Sequence, residues 1–216
     1  MKKSNMNKKM LGIAIPYYKN SEECEIAFRR LMVMLNKQLT DDMILFIWED
    51  GQYSEWLQMF KKNNILVEGC SNINYGVSVA RNKAIDYLID RVEYILFLDS
   101  DDMVEDNYLK VMYEYCADMT HEIVESTIVI KDQIANYDPK LIRCGVAGSA
   151  LQTKIIGNIR FDESLQIGED TKFMHDVIDL TKYRKRHART KYFYQLGINN
   201  NSLTMLHSRK EIGKER

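Results

Sequence analysis

The chain has 216 residues, of which 45% are hydrophobic and 28% charged, so it can form one globular domain with a sizeable core. Its formal net charge at pH 7 is −1, which excludes a global positive field that would draw it to nucleic acid or to an anionic membrane. The four cysteines are widely spaced and no apolar run approaches the roughly 20 residues of a membrane span, so we expect no zinc site, disulfide framework or transmembrane segment.

Short apolar runs alternate with helical patterns through the first half of the chain. Residues 1–10 are polar and predict a flexible N-terminus, and the protein is expected to be cytoplasmic, either free or peripheral to the inner face of a membrane. Strands are predicted at Leu11–Ile15, Met43–Trp48 and Ile65–Val67. Helices are predicted after the N-cap candidate Ser21, at roughly Glu55–Lys62 and from Val77 to about Asp90. This alternation predicts a parallel sheet with right-handed crossovers.

The stretch from Ile95 to Asp102 places four apolar residues directly before an acidic turn. The apolar run predicts a strand buried on both faces, and the carboxylates must lie beyond its end, where open α/β sheets bind ligands. Asp99 and Asp101 are two residues apart, so an extended backbone points them the same way. Two such carboxylates suit Mg²⁺ or Mn²⁺ held jointly with substrate phosphates. The alternative is an acidic turn that only caps the helix expected from about Asp106 to Cys116.

The pattern changes in the second half of the chain. Strands are predicted at Glu122–Ile130, within Gly145–Leu151 and at Tyr192–Tyr194, with a loop at 131–143. Gly168 opens a helix that carries Glu169 and Asp170 in its first turn. No repeat or linker divides the chain, so a single domain over residues 11–206 and a polar tail over 207–216 are expected.

Acidic residues therefore occur at three separate places that a parallel sheet would bring to one edge. They are Glu49-Asp50, Asp99 to Asp101, and Glu169-Asp170. Such an edge can bind a nucleotide, and an acid at a helix start can supply a general base. Each site has a simpler interpretation, because Asp50 can form a turn and Glu169 and Asp170 can complement a helix dipole.

The order of these motifs resembles family 2 of the inverting glycosyltransferases, which have the GT-A fold and a DxD motif. The resemblance rests on Ile15-Pro16-Tyr17-Tyr18-Lys19, Glu49-Asp50-Gly51-Gln52, the Asn74, Gly76, Ala80, Arg81 and Asn82 pattern, Phe97 to Asp102, and Arg160 to Asp170. It implies an α/β, Rossmann-like single domain whose central, mostly parallel sheet is flanked by helices. Lys19, Glu49 and Gln52 depart from the family pattern, and these departures concern recognition of the base.

The resemblance also implies a metal-dependent transfer of a hexosyl or N-acetylhexosaminyl group from a UDP-sugar to an acceptor hydroxyl. It assigns donor binding to Pro16, Tyr18, Glu49, Asp50, Asn74, Arg81, Asp99 and Ser100. Tyr18 would lie against the uracil, Asp50 with Glu49 would accept from it, and Arg81 would approach the base or the diphosphate. Asp99 would hold ribose or metal-bound water.

Catalysis and metal binding are implied in the same way. Asp170, beside Glu169, would be the general base, and Asp101 would bind Mn²⁺ or Mg²⁺. His207 in the tail is a further metal-ligand candidate, and its alternative is a surface histidine. The basic run Lys182–Arg189 can bind a polyanion, and its alternative is a solvated helix end.

The acceptor is left open as a glycan, a lipid-linked glycan, a protein or a polyanion such as nucleic acid. It is either small, or held by a partner protein or by a second copy of this chain. Two other functions are compatible with the motifs. A nucleotidyltransferase would use similar acidic metal sites and release pyrophosphate. A module that binds nucleotide-sugars but has lost catalytic turnover would have the same fold without the enzymatic activity.

Overall fold

The structure of the chain, a computed structural model, describes residues 8–60, 62–70, 72–130, 133–134, 145–179 and 182–194. Its strands are β1 Lys9–Tyr17, β2 Met43–Asp50, β3 Ile65–Cys70, β4 Val92–Phe97, β5 Met103–Val104, β6 Ile123–Ile130, β7 Gln133–Ile134, β8 Ser149–Gln152 and β9 Lys185–Tyr194. Its α-helices are α1 Glu22–Gln38, α2 Val77–Leu88, α3 Tyr108–Ala117, α4 Thr153–Ile156 and α5 Glu169–Val177, and a 3₁₀ helix covers Glu55–Phe60.

The described strands form one sheet in the order β3-β2-β1-β4-β8-β6-β9-β5, with β7 paired to β6. Its first four strands are all parallel, as the alternating pattern predicts. The other half is mixed: β8 runs antiparallel to β4 and β6, β6 runs parallel to β9, and β5 runs antiparallel to β9. The chain therefore has the predicted α/β sheet flanked by helices, with the parallel pairing concentrated in its first half.

Helices cover both faces of the sheet and complete two hydrophobic cores. On one face, α1 and α3 pack residues such as Phe28, Leu31 and Met112 against the strands. On the other face, α2, α4 and α5 do the same with residues such as Ile85 and Phe173. The strand β4 is buried on both sides between these layers, which confirms the prediction made from its apolar run.

Local sequence accounts for the start of α1. Ser21 is its N-cap and accepts a hydrogen bond from the Cys24 amide at 3.3 Å, with three glutamates in the first turn where the helix dipole favours acids. The predicted stripe of Cys24, Phe28, Leu31 and Leu35 is buried.

Several predicted boundaries are wrong. The strand β1 begins at Lys9, since the Lys9 amide bonds the Arg91 carbonyl at 2.9 Å, so the N-terminal segment that precedes the sheet is shorter than predicted. The segment expected as a helix at Glu55–Lys62 is a 3₁₀ helix that ends at Phe60. Most of the predicted loop at 131–143 and the tail from residue 195 lie outside the described residues.

Most of the basic run, residues 185–189, belongs to strand β9 and not to a helix end. Pairing with β6 along seven residue positions fixes it as a strand. Acidic side chains on neighbouring elements accompany much of its charge. Within the run these ion pairs are Arg184–Glu122 (3.5 Å), Lys185–Glu125 (3.5 Å) and Arg186–Asp118 (2.6 Å). Lys191, on the same strand beyond the run, pairs with Glu105 (3.6 Å).

Candidate active site

The acidic turn follows β4 at the carboxyl edge of the parallel strands. The Leu98 amide still bonds the Ala14 carbonyl of β1 at 3.1 Å, and the chain then turns so that the Asp102 amide points to the Asp99 carbonyl at 3.4 Å. Asp99 and Asp101 are partly exposed, whereas Asp102 is buried. The turn therefore presents two carboxylates to the edge of the sheet and keeps the third inside.

The inner carboxylate has a partner that sequence reasoning missed. Tyr192 of β9 is buried, and its hydroxyl donates to Asp102 and accepts from the Asp99 amide at 3.1 Å. Burial and the nearby Asp102 and Asp99 charges raise the pKa of Tyr192 well above its ordinary value, so the hydroxyl keeps its proton. In the sequence, Tyr192 is one of 13 tyrosines and no motif marks it.

Arg81 joins the acidic turn to the start of α5. This side chain of α2 is 3% exposed, and its guanidinium contacts Asp99 at 2.8 Å, Glu169 at 3.2 Å, and Asp170. It also lies 5.3 Å from the centre of the Phe161 ring. Arg81 was predicted to approach the base or the diphosphate, and in the structure its terminal nitrogens contact carboxylates. Three acids from two segments that are far apart in the sequence therefore meet at one cation.

Asp170 lies in the first turn of α5, which begins after Gly168 at a φ of +81°. Its second carboxylate oxygen accepts from the Val146 amide at 3.3 Å. Burial raises the pKa of Asp170 to about 6; Arg81 opposes this shift, and the charges of Asp99 and Glu169 add to it. A carboxylate with this pKa is ionised at neutral pH and is basic enough to take a proton from a hydroxyl as that hydroxyl attacks.

Asp101 has a raised pKa for a related reason. Burial is the main cause, and the charge of Asp99 adds to it, bringing the pKa to about 6. Two carboxylates whose charges repel in this way fit a divalent cation, because a hard cation binds both and removes the repulsion. Within the described part of the chain, no three His, Cys, Asp or Glu side chains group as a metal site, and His207 lies outside it.

Asp50 stands at the end of β2 and holds the turn before α2. Its carboxylate accepts from the Tyr75 amide at 2.9 Å and from the Gly76 amide at 2.7 Å, and the Asn74 side chain also accepts from Gly76 at 2.9 Å. Gly76 has a φ of +95°, which a residue with a side chain rarely adopts. The structure thus shows that Asp50 forms a turn, which was the simpler of its two interpretations. Its predicted contact with uracil stays a prediction.

Glu49 lines a pocket of about 390 Å³ at the β2–β3 edge of the sheet. The other lining residues are Trp48, Gln52, Tyr53, Gln58, Val67, Glu68 and Gly69. Glu49 is 3% exposed, its Oε1 atom has no hydrogen-bond partner, and burial raises the pKa of its carboxyl. The buried Gln52 amide nitrogen is also unpaired. Two of the residues that depart from the family pattern therefore meet in this pocket.

The other predicted donor residues lie near the carboxyl ends of the parallel strands β1 and β4. Tyr18 directly follows β1 and its side chain is 44% exposed, which leaves the ring available for stacking. Pro16 lies within β1 opposite Trp48. Lys19 binds Glu22 at 2.8 Å and Glu25 at 2.5 Å. Ser100 is part of the acidic turn and partly exposed.

Comparison with known proteins connects this geometry to a family. The model of the family described as glycosyl transferase family 2 matches residues 13–193. The minor teichoic acid biosynthesis protein GgaA of Bacillus subtilis (strain 168) is 26% identical over 217 residues, covering 86% of this chain and 47% of GgaA. GgaB of the same organism is 27% identical over 161 residues, covering 66% of this chain and 17% of GgaB. The chain thus spans less than half the length of either relative.

Solved structures show the same fold. TarS of S. aureus, residues 1–349 in complex with UDP-GlcNAc, superposes with a TM-score of 0.67 at 17% identity, covering 87% of this chain and 59% of TarS 1–349. A further TarS structure gives a TM-score of 0.68 at 17% identity, covering 87% of this chain and 37% of that one. No helix among the described residues is both long and apolar enough to cross a bilayer. The GT-A fold and the match over residues 13–193 show that the chain belongs to glycosyl transferase family 2.

Proposed function

We propose that the chain transfers a sugar from a UDP-sugar to an acceptor hydroxyl in a divalent-metal-dependent reaction that inverts the anomeric centre. The observation that carries the proposal is the contact of one buried guanidinium, Arg81, with Asp99 of the acidic turn and with Asp170 of α5. Through this contact, the donor-side carboxylate of Asp99 and the candidate general base Asp170 both lie against the guanidinium of Arg81. The TarS complex with UDP-GlcNAc supports a UDP-sugar as the donor.

In this proposal the role of each residue follows from its position in the site. Asp99 and Asp101 would hold Mn²⁺ or Mg²⁺, which when bound would supply positive charge against the diphosphate of the donor. Tyr18 stacks on the base, beside Glu49 and Asp50 at the adjoining strand end. Asp170 takes the proton of the acceptor hydroxyl while the oxygen of that hydroxyl forms a bond to the anomeric carbon of the sugar.

The bond from the anomeric carbon to the UDP oxygen breaks in the same step. Because the acceptor oxygen attacks from the face opposite the leaving group, a single displacement inverts the anomeric configuration. The names of GgaA and GgaB favour a teichoic acid or one of its precursors as the acceptor class.

Two alternatives make different demands on Asp170. A nucleotidyltransferase releases pyrophosphate and needs no base at this place. A binding module without turnover needs no general base beside the donor site. The match to family 2 and the position of Asp170 both favour the transferase.

The test is a screen of nucleotide-sugars with Mn²⁺ or Mg²⁺ that measures release of UDP and of pyrophosphate and, by calorimetry, binding of UDP. We expect Asp170→Asn to bind UDP within about twofold of the wild type and to lose at least 100-fold in kcat, the lower end for a general base. Asp176→Asn is the matched control, because it changes an exposed acid of the same helix that pairs with Lys172. Full turnover in Asp170→Asn, or release of pyrophosphate instead of UDP, would contradict the proposal.

A further inference from the structure

Tyr192 connects the last described strand to both ends of the acidic turn. Its hydroxyl accepts from the amide of Asp99 at 3.1 Å and donates to the carboxylate of Asp102, so one oxygen spans the four residues of the turn. Both contacts cross about 90 residues of sequence. The residue is 1% exposed, so water does not replace these bonds.

The backbone around Tyr192 fixes its position independently of the hydroxyl. Its strand pairs antiparallel with β5, the strand that leaves the acidic turn, in the register Val104 to Tyr192 and Met103 to Phe193. The turn is therefore held to β4 at its start and to β9 at its end.

A glycine makes room for the ring of Tyr192. A Cβ atom at Gly148 would lie 3.1 Å from Cγ of Tyr192 and 2.7 Å from the Ser126 hydroxyl, and Gly148 has a φ of +74°. The Gly148 amide bonds the Phe97 carbonyl at 2.8 Å, directly before the turn. The ring thus packs closely against the backbone of Gly148, directly before β8, which limits the freedom of its hydroxyl to leave the turn.

From these contacts we infer that Tyr192 is a positioning residue, which holds the acidic turn in the conformation that directs Asp99 and Asp101 together towards a divalent cation and a nucleoside diphosphate. The inference rests on the proposed function for the identity of that ligand. Asp102 and Tyr192 themselves do not reach the ligand: they are buried behind the turn, and they act by setting the backbone that carries the two ligating side chains.

The test compares Tyr192→Phe with Tyr108→Phe. Tyr108 is an equally buried tyrosine whose ring centre lies 6.4 Å from that of Tyr192, and its hydroxyl donates to Ser126 at 3.1 Å. Both variants lose a buried hydroxyl, so both lower Tm. A loss of packing or stability alone would affect them alike.

Two readouts separate positioning from stability. Hydrogen–deuterium exchange reports whether the amides of residues 99–102 open faster, and calorimetry with Mn²⁺ and UDP reports binding without any turnover. We expect Tyr192→Phe to speed exchange of the turn and to weaken Mn²⁺-dependent UDP binding about tenfold, and Tyr108→Phe to change both by less than twofold. If Tyr192→Phe does not fold, Asp102→Asn replaces it, since the neutral amide weakens the same bond while keeping the shape.

Each outcome decides between the roles. Unchanged exchange of the turn, or faster exchange with unchanged UDP affinity, overturns the positioning role while the proposed function stands. A wild-type protein that binds no UDP with Mn²⁺ overturns the proposed function and the role of Tyr192 with it.

Discussion

Arg81 and Asp170 form an ion pair in which the guanidinium is buried and the carboxylate is mostly buried, with side-chain exposures of 4% and 21%. The same guanidinium contacts Asp99 and Glu169, so one positive charge faces three carboxylates. Such a site carries excess negative charge before any ligand arrives. A divalent cation and an acceptor hydroxyl are both ligands that this charge favours.

Arg81 opposes the rise in the pKa of Asp170, and Arg81→Lys tests this effect. A lysine keeps the charge but lacks the planar fork that reaches several carboxylates at once. We expect kcat to fall about 10- to 100-fold and the acidic limb of the kcat/KM profile to move to higher pH, because the pKa of Asp170 rises when its cation contact weakens. The control is Arg29→Lys, which changes an exposed ion pair with Glu25. An unmoved acidic limb in Arg81→Lys would show that the ion pair does not tune the base.

The wild-type protein should lose activity as the pH falls through about 6. A general base must be ionised, and burial brings the pKa of Asp170 to about 6. In kcat/KM profiles measured at saturating Mn²⁺, we expect a tenfold loss for each pH unit below this value. A profile that stays flat down to pH 5 would be inconsistent with Asp170 as the base.

The sequence predicted the parallel half of the sheet and the acidic turn because both depend on local pattern. Apolar runs such as Ile95–Leu98 specify buried strands directly, and a carboxylate cannot continue such a strand, so its end is visible in the sequence. The basic run gave no such signal. The strand β9 forms because β6 and β5 pair with it and acids on other elements lie against its cations, and neither cause is local.

The contacts of Arg81 could not be predicted from the sequence either. A motif marked the residue, but its contacts depend on α2 and α5 packing against the same face of the sheet, which local pattern does not specify. Tyr192 was missed for the same reason, because its hydroxyl bonds residues about 90 positions away.

Asp101→Asn should make the protein more stable at pH 7 while it weakens metal binding. The pKa of Asp101 in the folded state is about 6, above the ordinary value of 3.8. Between these two pH values the folded state therefore binds more protons than the unfolded state, so the stability falls as the pH rises through that window. Removing the charge should therefore raise stability at pH 7 by on the order of 1–3 kcal/mol, and leave stability at pH 3.5 nearly unchanged. Chemical denaturation without added metal at the two pH values measures this difference.

The contrary result for Asp101 is equally informative. Asp106→Asn serves as the control, because this acid is exposed and follows the turn without being part of it. A variant Asp101→Asn that is less stable than the wild type at pH 7 would mean that the carboxylate already has a stabilising partner, and the case for a cation there would weaken. Retained Mn²⁺-dependent UDP binding would remove Asp101 from the metal site.

Glu49→Gln tests whether the pocket at the β2–β3 edge recognises the base. Burial raises the pKa of Glu49, so the folded state holds its proton at higher pH than the unfolded state, and stability declines as the pH rises from about 4.5 through the folded pKa. Gln removes this decline without leaving a cavity. If Glu49 also accepts a hydrogen bond from the base, the same change should weaken UDP binding by about 1 kcal/mol or more, because the amide is a weaker acceptor than a carboxylate.

Glu68→Gln is the matched control, because Glu68 lines the same pocket but is exposed. We expect it to leave the affinity for UDP unchanged, since its exposed carboxylate is already solvated. Calorimetric titration with UDP and with CDP completes the comparison, because Glu49 and Gln52 would contact the edge on which these bases differ. Equal affinities of wild type and Glu49→Gln for both nucleotides, together with the expected change in stability, would place the base elsewhere and leave Glu49 as a buried acid of the fold alone.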